Sequence, residues 1–178
     1  MTTDYITPTE AAELIDALPY EYKPILRIAA DTGYRIGDIC AMKWSDIDWE
    51  EQNVTLVEEK TGKERTAGLC PSLLEHLQKH KNRQSLFEVY VFPGNPKSHV
   101  NRATVWRWVK KTWGLLYPDS ERVISPHSLR KMYAVEQRKR GKSIWDIKTD
   151  LNHERDDVTI KYAFADMLGQ QPERYTPT

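Results

Sequence analysis

Apolar positions along the chain recur mostly at three- and four-residue intervals, and capping residues cut that pattern into helical pieces. Thr7, Pro8 and Glu10 match an N-cap, a first-turn proline and a capping-box acid, which predicts a helix over about residues 8–18. Pro24 opens a second helix through Ile25, Leu26 and Ile28 with Gly33 as its stop, and RIGDICAMKW reads as a third, short one. Arg35 lies just beyond that glycine. The stretch NVTLVEEKTGKERTAGL is different, because β-forming residues flank Thr61-Gly62-Lys63 as in a hairpin with a short glycine-containing turn. PSLLEHLQKH reads as a short helix after Pro71, and FEVYVFPGNPKS as an extended apolar segment ending in a Pro/Gly loop. In NRATVWRWVKKTWGLL, Val105, Trp106, Val109 and Trp113 line one predicted core face, leaving Arg107, Lys110 and Lys111 mainly for the others. Ser125-Pro126 starts a helix with His127 in its first turn, and Ser143 with Asp146 starts another through Ile144, Trp145, Ile147 and Leu151. The class predicted is α+β, mainly α, with a small antiparallel sheet.

Composition narrows the chemistry. A length of 178 residues suits one domain that buries a core without covalent staples. The two cysteines, Cys40 and Cys70, lack the count and spacing of a disulfide framework or a zinc site, so they read as structural thiols of a reducing cytoplasm. No apolar run approaches the roughly 18 residues of a membrane span, and the polar start MTTDYITPTE lacks the regions of a signal peptide. A soluble, cytoplasmic protein with no membrane partner is expected.

The net charge of zero hides an uneven distribution. Residues 1–59 hold 4 Lys/Arg against 13 Asp/Glu, whereas residues 97–143 hold 12 against 3, a balance of plus 9. Such asymmetry fits a chain that turns one surface to a polyanion. An ordinary solvated basic helix would give the same count.

His127 and Arg130 stand three apart near a helix N-terminus, where free amides and the dipole favour an anion, so the pair can grip one phosphate. By spacing alone, a surface His and Arg would be the simpler account. Arg35 and Asp38 are also three apart and can pair, which by itself reads as a surface salt bridge of at most a fraction of a kcal/mol. Further on, His153 and Tyr162 lie nine apart in LNHERDDVTIKY.

Four segments together change the weighting: TGYRIGDICAMKWSDID, EEKTGKERTAGL, HSLRK and LNHERDDVTIKY. In this order the chain resembles the catalytic domain of the tyrosine recombinases, the phage integrase family, from about Thr7 to Tyr162. The resemblance places the first catalytic arginine on Arg35, the buttressing acid on Asp38 and the hairpin lysine on Lys60. His127 and Arg130 form its HxxR pair, His153 is the second histidine and Tyr162 the nucleophile. Two positions depart from the usual pattern: Asp38 stands where a Glu is more common, and Asn152 where a glycine commonly precedes the second histidine.

The resemblance implies a catalytic domain over residues 1–168, and the composition of GQQPERYTPT reads as a flexible tail over 169–178. It also implies DNA strand cleavage and rejoining through a 3′-phosphotyrosyl intermediate, with no metal, ATP or other cofactor. The partner implied is double-stranded DNA, contacted by Lys63, Arg65, Arg102, Arg107, Lys110, Lys111 and Lys131 as well as the catalytic groups. Subunits would assemble as a tetrameric synapse on DNA and stay monomeric off it, at the nucleoid of a bacterial or phage-infected cell. A DNA-binding relative without activity and a type IB topoisomerase-like nicking enzyme are the competing readings. Family members commonly carry an N-terminal helical domain that clamps the DNA, so the chain is expected to be either an excised domain or a minimal protein.

Overall fold

The computed structural model describes residues 3–94 and 98–151. His153, Tyr162 and the expected tail lie outside the described residues. Helix α1 (Pro8–Asp16) carries the anticipated capping box, with the Thr7 side chain accepting from the Glu10 amide and Glu10 returning the bond to Thr7. Helix α2 (Lys23–Thr32) ends on Gly33, whose φ of 67° is the left-handed conformation that a glycine stop supplies. The chain reverses there and enters α3 (Ile36–Cys40) with Arg35 as the N-cap.

A 3-10 turn (Trp44–Asp46) leads into a three-stranded antiparallel sheet of β1 (Ile47–Asp48), β2 (Asn53–Val57) and β3 (Glu64–Gly68), in that order across the sheet. β2 and β3 are the hairpin the sequence predicts, in register from Asn53 opposite Gly68 to Val57 opposite Glu64. Its loop is the six residues 58–63, longer than the three-residue turn expected, and Gly62 takes φ 65° within it. Helices α4 (Pro71–Lys81), α5 (Arg102–Leu116), α6 (Pro126–Lys139) and α7 (Ile144–Asp150) follow. Among its described residues, the segment expected to be extended forms isolated bridges, Lys43 with Tyr90 and Pro93 with His99.

Helix α2 is the centre of the bundle and packs against α1, α3, α4 and α6. Its Leu26 and Ile28 are fully buried with Leu14, Ile39, Met42, Val54, Leu73, Val105, Val109 and Leu129 in one core. Such burial contributes about 1.5–3 kcal/mol per large aliphatic side chain. A smaller cluster of Tyr133, Ala134, Ile147 and Leu151 joins α6 to α7.

Helix α5 departs from the expected face in one residue. Val105, Val109 and Trp113 are buried at four-residue spacing, but Trp106 is 37% exposed, because one step from Val105 rotates it about 100° off that stripe. Trp108 packs inward instead and stacks on Tyr22 with ring centroids 3.8 Å apart. The cysteines divide as well: Cys40 is buried as expected of a structural thiol, whereas Cys70 is exposed at the start of α4. Among the described residues no helix is long and apolar enough to cross a membrane.

Candidate active site

The left-handed turn at Gly33 brings three elements to one place. A cleft of about 460 Å³ opens between the start of α3, the β2–β3 loop and the start of α6, and Arg35, Asp38, Lys60, Arg102, His127 and Arg130 line it. Residues separated by almost a hundred positions thus share one wall-to-wall space.

Arg130 is the anchor. It is 1% exposed, and its Nη1 donates to the Gly33 carbonyl at 2.6 Å while Nη2 donates to the Leu151 carbonyl. A buried guanidinium is costly unless its donors are met, and the two carbonyls tie it to the α2–α3 turn and the end of α7. Burial, with Arg35 close by, pushes its pKa down to about 10, so it stays charged at neutral pH. His127 sits exposed at the mouth one turn earlier, in the position that Ser125 defines by accepting from the His127 amide at 3.2 Å.

Arg35 does not take the partner the spacing implied. Its Nη1 donates to Glu58, the first residue after β2, instead of pairing with Asp38. The Asp38 carboxylate accepts from the Glu59 amide at 3.0 Å, so it braces the hairpin loop. As the N-cap, Arg35 has extended backbone angles and its side chain leaves the helix towards the sheet, away from the i+3 position.

Glu58 was not singled out by any motif. It is fully buried, its Oε2 accepts from Arg35 and, at 3.2 Å, from the Thr61 hydroxyl, and its Oε1 lies 4.0 Å from Arg130 Nη1. The signal was present in the strand pattern: Val54 and Leu56 point inward, and the two-residue period puts Glu58 on the same face.

Lys60 is exposed on the loop and lines the cleft; Lys63 is exposed at the last loop position, directly before the return strand begins at Glu64. Arg102, Arg107, Lys110 and Lys111 are exposed on α5, with Arg107 donating to Thr104 at 3.0 Å and Lys110 lying 5.2 Å from the Trp106 ring centre. Two other cations are placed differently from the sequence expectation. Arg65 stacks its guanidinium 4.4 Å from the Tyr34 ring and donates to the Thr32 carbonyl, so it fastens the hairpin to the α2–α3 turn. Lys131 is 5% exposed and donates to the Thr3 carbonyl, tying down the chain before α1. Each is turned inward by its own element: Arg65 shares the inner face of β3 with Ala67 at the two-residue strand period, and Lys131 lies in the part of α6 where every residue from Ser128 to Val135 is buried. Tyr34 completes the fastening: its hydroxyl meets the Arg65 and Val54 carbonyls, and burial pushes its pKa up to about 12.

The architecture is that of the tyrosine recombinase catalytic domain. The chain superimposes on the crystal structure of XerA recombinase with a TM-score of 0.77 at 24% identity, covering 98% of this chain and 65% of that one. It superimposes on a lambda integrase dimer bound to a COC′ core site with a TM-score of 0.73 at 22% identity, covering 100% and 52% respectively. In sequence it is 27% identical over 163 residues to a tyrosine recombinase of Thermosipho africanus, covering 89% of this chain and 56% of that protein. The phage integrase family profile matches residues 4–168, and the chain belongs to that family. It spans about half the length of the Thermosipho relative.

Proposed function

We propose that residues 1–168 are the catalytic domain of a site-specific DNA recombinase or integrase that cleaves and rejoins strands through a 3′-phosphotyrosyl bond. The convergence of Arg35, Lys60, His127 and Arg130 on one cleft is the observation that carries this reading. The recombinases it resembles, one of them a DNA-bound integrase dimer, support DNA as the substrate.

In the reaction proposed, the Tyr162 oxygen attacks the scissile phosphorus, the bond to the 5′ oxygen breaks, and the leaving oxygen takes a proton from Lys60. The phenol proton passes towards His127. Arg35, Arg130 and His153 stabilise the charge on the non-bridging oxygens, the task that positioned donors perform best in a water-poor site. The phosphotyrosyl bond conserves the energy of the phosphodiester, so a second 5′ hydroxyl reverses the step without ATP. Asp38 serves by bracing the loop that carries Lys60. Arg102 lines the cleft, and Arg107, Lys110 and Lys111, exposed further along the same helix, add cationic groups for the DNA backbone. A tetrameric synapse on DNA and action at the nucleoid belong to the same proposal.

Trapping tests it. The chain is incubated with random-sequence duplexes carrying a nick near each candidate scissile phosphate, and covalent adducts are isolated and sequenced. Adducts through Tyr162 that vanish in Tyr162→Phe, with DNA binding retained, are expected. A phosphotyrosyl peptide that maps to Tyr133 would overturn the assignment of the nucleophile.

A further inference from the structure

Glu58 takes no part in the reaction written above, yet it stands where the site's three parts meet. We propose that Glu58 is a positioning residue that couples the Arg35–Arg130 pair to the loop carrying Lys60, an inference that rests on the reading of the cleft as a phosphate site.

Its side chain and its backbone point in two directions. The carboxylate accepts from Arg35 and lies 4.0 Å from Arg130, so one negative charge sits between two guanidinia that otherwise repel each other. The backbone opens and closes the loop: the Glu58 amide donates to the Lys63 carbonyl at 3.0 Å, and its carbonyl accepts from Thr61 at 3.3 Å and Gly62 at 2.8 Å. The Thr61 hydroxyl returns to the same carboxylate at 3.2 Å. The loop that carries Lys60 is therefore closed by four bonds that end on Glu58, besides the bond from the Glu59 amide to Asp38.

Glu58 does this from behind. It is 0% exposed and does not line the cleft that Arg35, Lys60 and Arg130 line. A carboxylate in the cleft itself would compete with phosphate for the arginines; one behind them orients the guanidinia without occupying the phosphate's place. A displacement of about 1 Å in such a group can cost on the order of a hundredfold in rate. Merely neutral packing would need no acid at this point, because an inward strand position next to Val54 and Leu56 is otherwise apolar.

The test compares the full chain with Glu58→Gln and, as a control, Glu64→Gln on the exposed face of β3. Two measurements are made on protein that retains its unfolding midpoint. The first follows hydrogen exchange of the Arg35 and Arg130 guanidinium protons by NMR with no DNA present. Exchange faster by about tenfold or more in Glu58→Gln at both arginines, and unchanged in Glu64→Gln, supports the proposal; unchanged exchange in both variants overturns it.

The second measures single-turnover adduct formation at saturating protein, on ordinary DNA and on DNA with sulfur in place of the bridging 5′ oxygen. Glu58→Gln should slow both by about 10–100-fold while DNA affinity stays within about threefold. Full recovery on the sulfur substrate would mean that Glu58 serves Lys60 alone, and equal loss of affinity would mean a general DNA-binding role; either result overturns the coupling. If the wild-type chain forms no adduct on any DNA, the recombinase reading fails, and the exchange measurement still decides whether Glu58 holds the arginines.

Discussion

Lys60 and Lys63 share one hairpin loop, both exposed and both cationic, so they make an internal comparison for the proton donor. If Lys60 supplies the proton, Lys60→Ala should cleave ordinary DNA slowly, by about a hundredfold or more, and recover most of its rate when sulfur replaces the 5′ oxygen, because a thiolate leaves unprotonated. Lys63→Ala should show neither effect. Rescue confined to Lys63→Ala would move the acid to that residue. Asp38 allows a separate test through proton linkage. Burial, reinforced by Glu58 and opposed by the bond from the Glu59 amide, holds its carboxyl above the ordinary range. As pH rises the unfolded chain loses this proton first, so the folded state is penalised from the ordinary carboxylate pKa up to the raised one, and the penalty persists above it. Asp38→Asn keeps an acceptor for Glu59 without the charge. It should be more stable than wild type in urea at pH 7, with the difference closing towards about pH 3.

At the scale of elements, the turn between α2 and α3 decides whether the site assembles. Gly33 and Gly62 both have φ near 65°, but their surroundings differ. A Cβ on Gly33 would lie 2.4 Å from Tyr133 Cδ1, whereas one on Gly62 would meet nothing within 4 Å. Gly62→Ala should therefore cost only the left-handed strain, about 1 kcal/mol, while Gly33→Ala adds a clash against α6 and should cost about 3 kcal/mol or more. Urea unfolding of the two variants checks the order. The Gly33 carbonyl also receives Arg130, so the costlier variant should lose adduct formation beyond its loss of stability.

For the whole molecule, charge acts through where it is exposed. Each phosphate neutralised on B-DNA releases about 0.9 counterion, so DNA binding should weaken steeply with salt. Charge reversal at Arg107 or Lys110 on the exposed face of α5 should lower the slope of log affinity against log salt by about 1 each. Lys131→Gln is expected to leave that slope unchanged and to reduce stability instead, since its ammonium is spent on the Thr3 carbonyl. A changed slope in Lys131→Gln, measured by anisotropy across a salt series, would return it to the DNA-facing set. The plus 9 balance of residues 97–143 thus overstates the polyanion surface: Arg122 pairs with Glu10 and Lys142 with Asp150, acids outside that span, and Lys131 is buried.

Much was legible in the sequence because much is governed at short range. Thr7, Ser125 and Ser143 cap their helices as their sequence contexts predict, and Gly33 stops α2, since a cap depends on residues within one turn of it. The hairpin was readable for the same reason, whereas the polar residues later found around the cleft were named through the resemblance carried by four segments, since their spacing alone reads as surface residues. What only the tertiary structure decided is partnership. Arg35 passes over Asp38, three residues away, to reach Glu58, 23 residues away, and Arg130 reaches Gly33 across 97. Arg65 and Lys131 turn inward while Lys60 and Lys110 stay in solvent, although all four are the same kind of charge. Composition counts a charge wherever it stands, but burial and pairing follow the path of the backbone, and that path is set by the packing of α2 against its neighbours. Glu58 lies between the two cases: the two-residue period of β2 points it inward, and only the fold reveals that two arginines are waiting there.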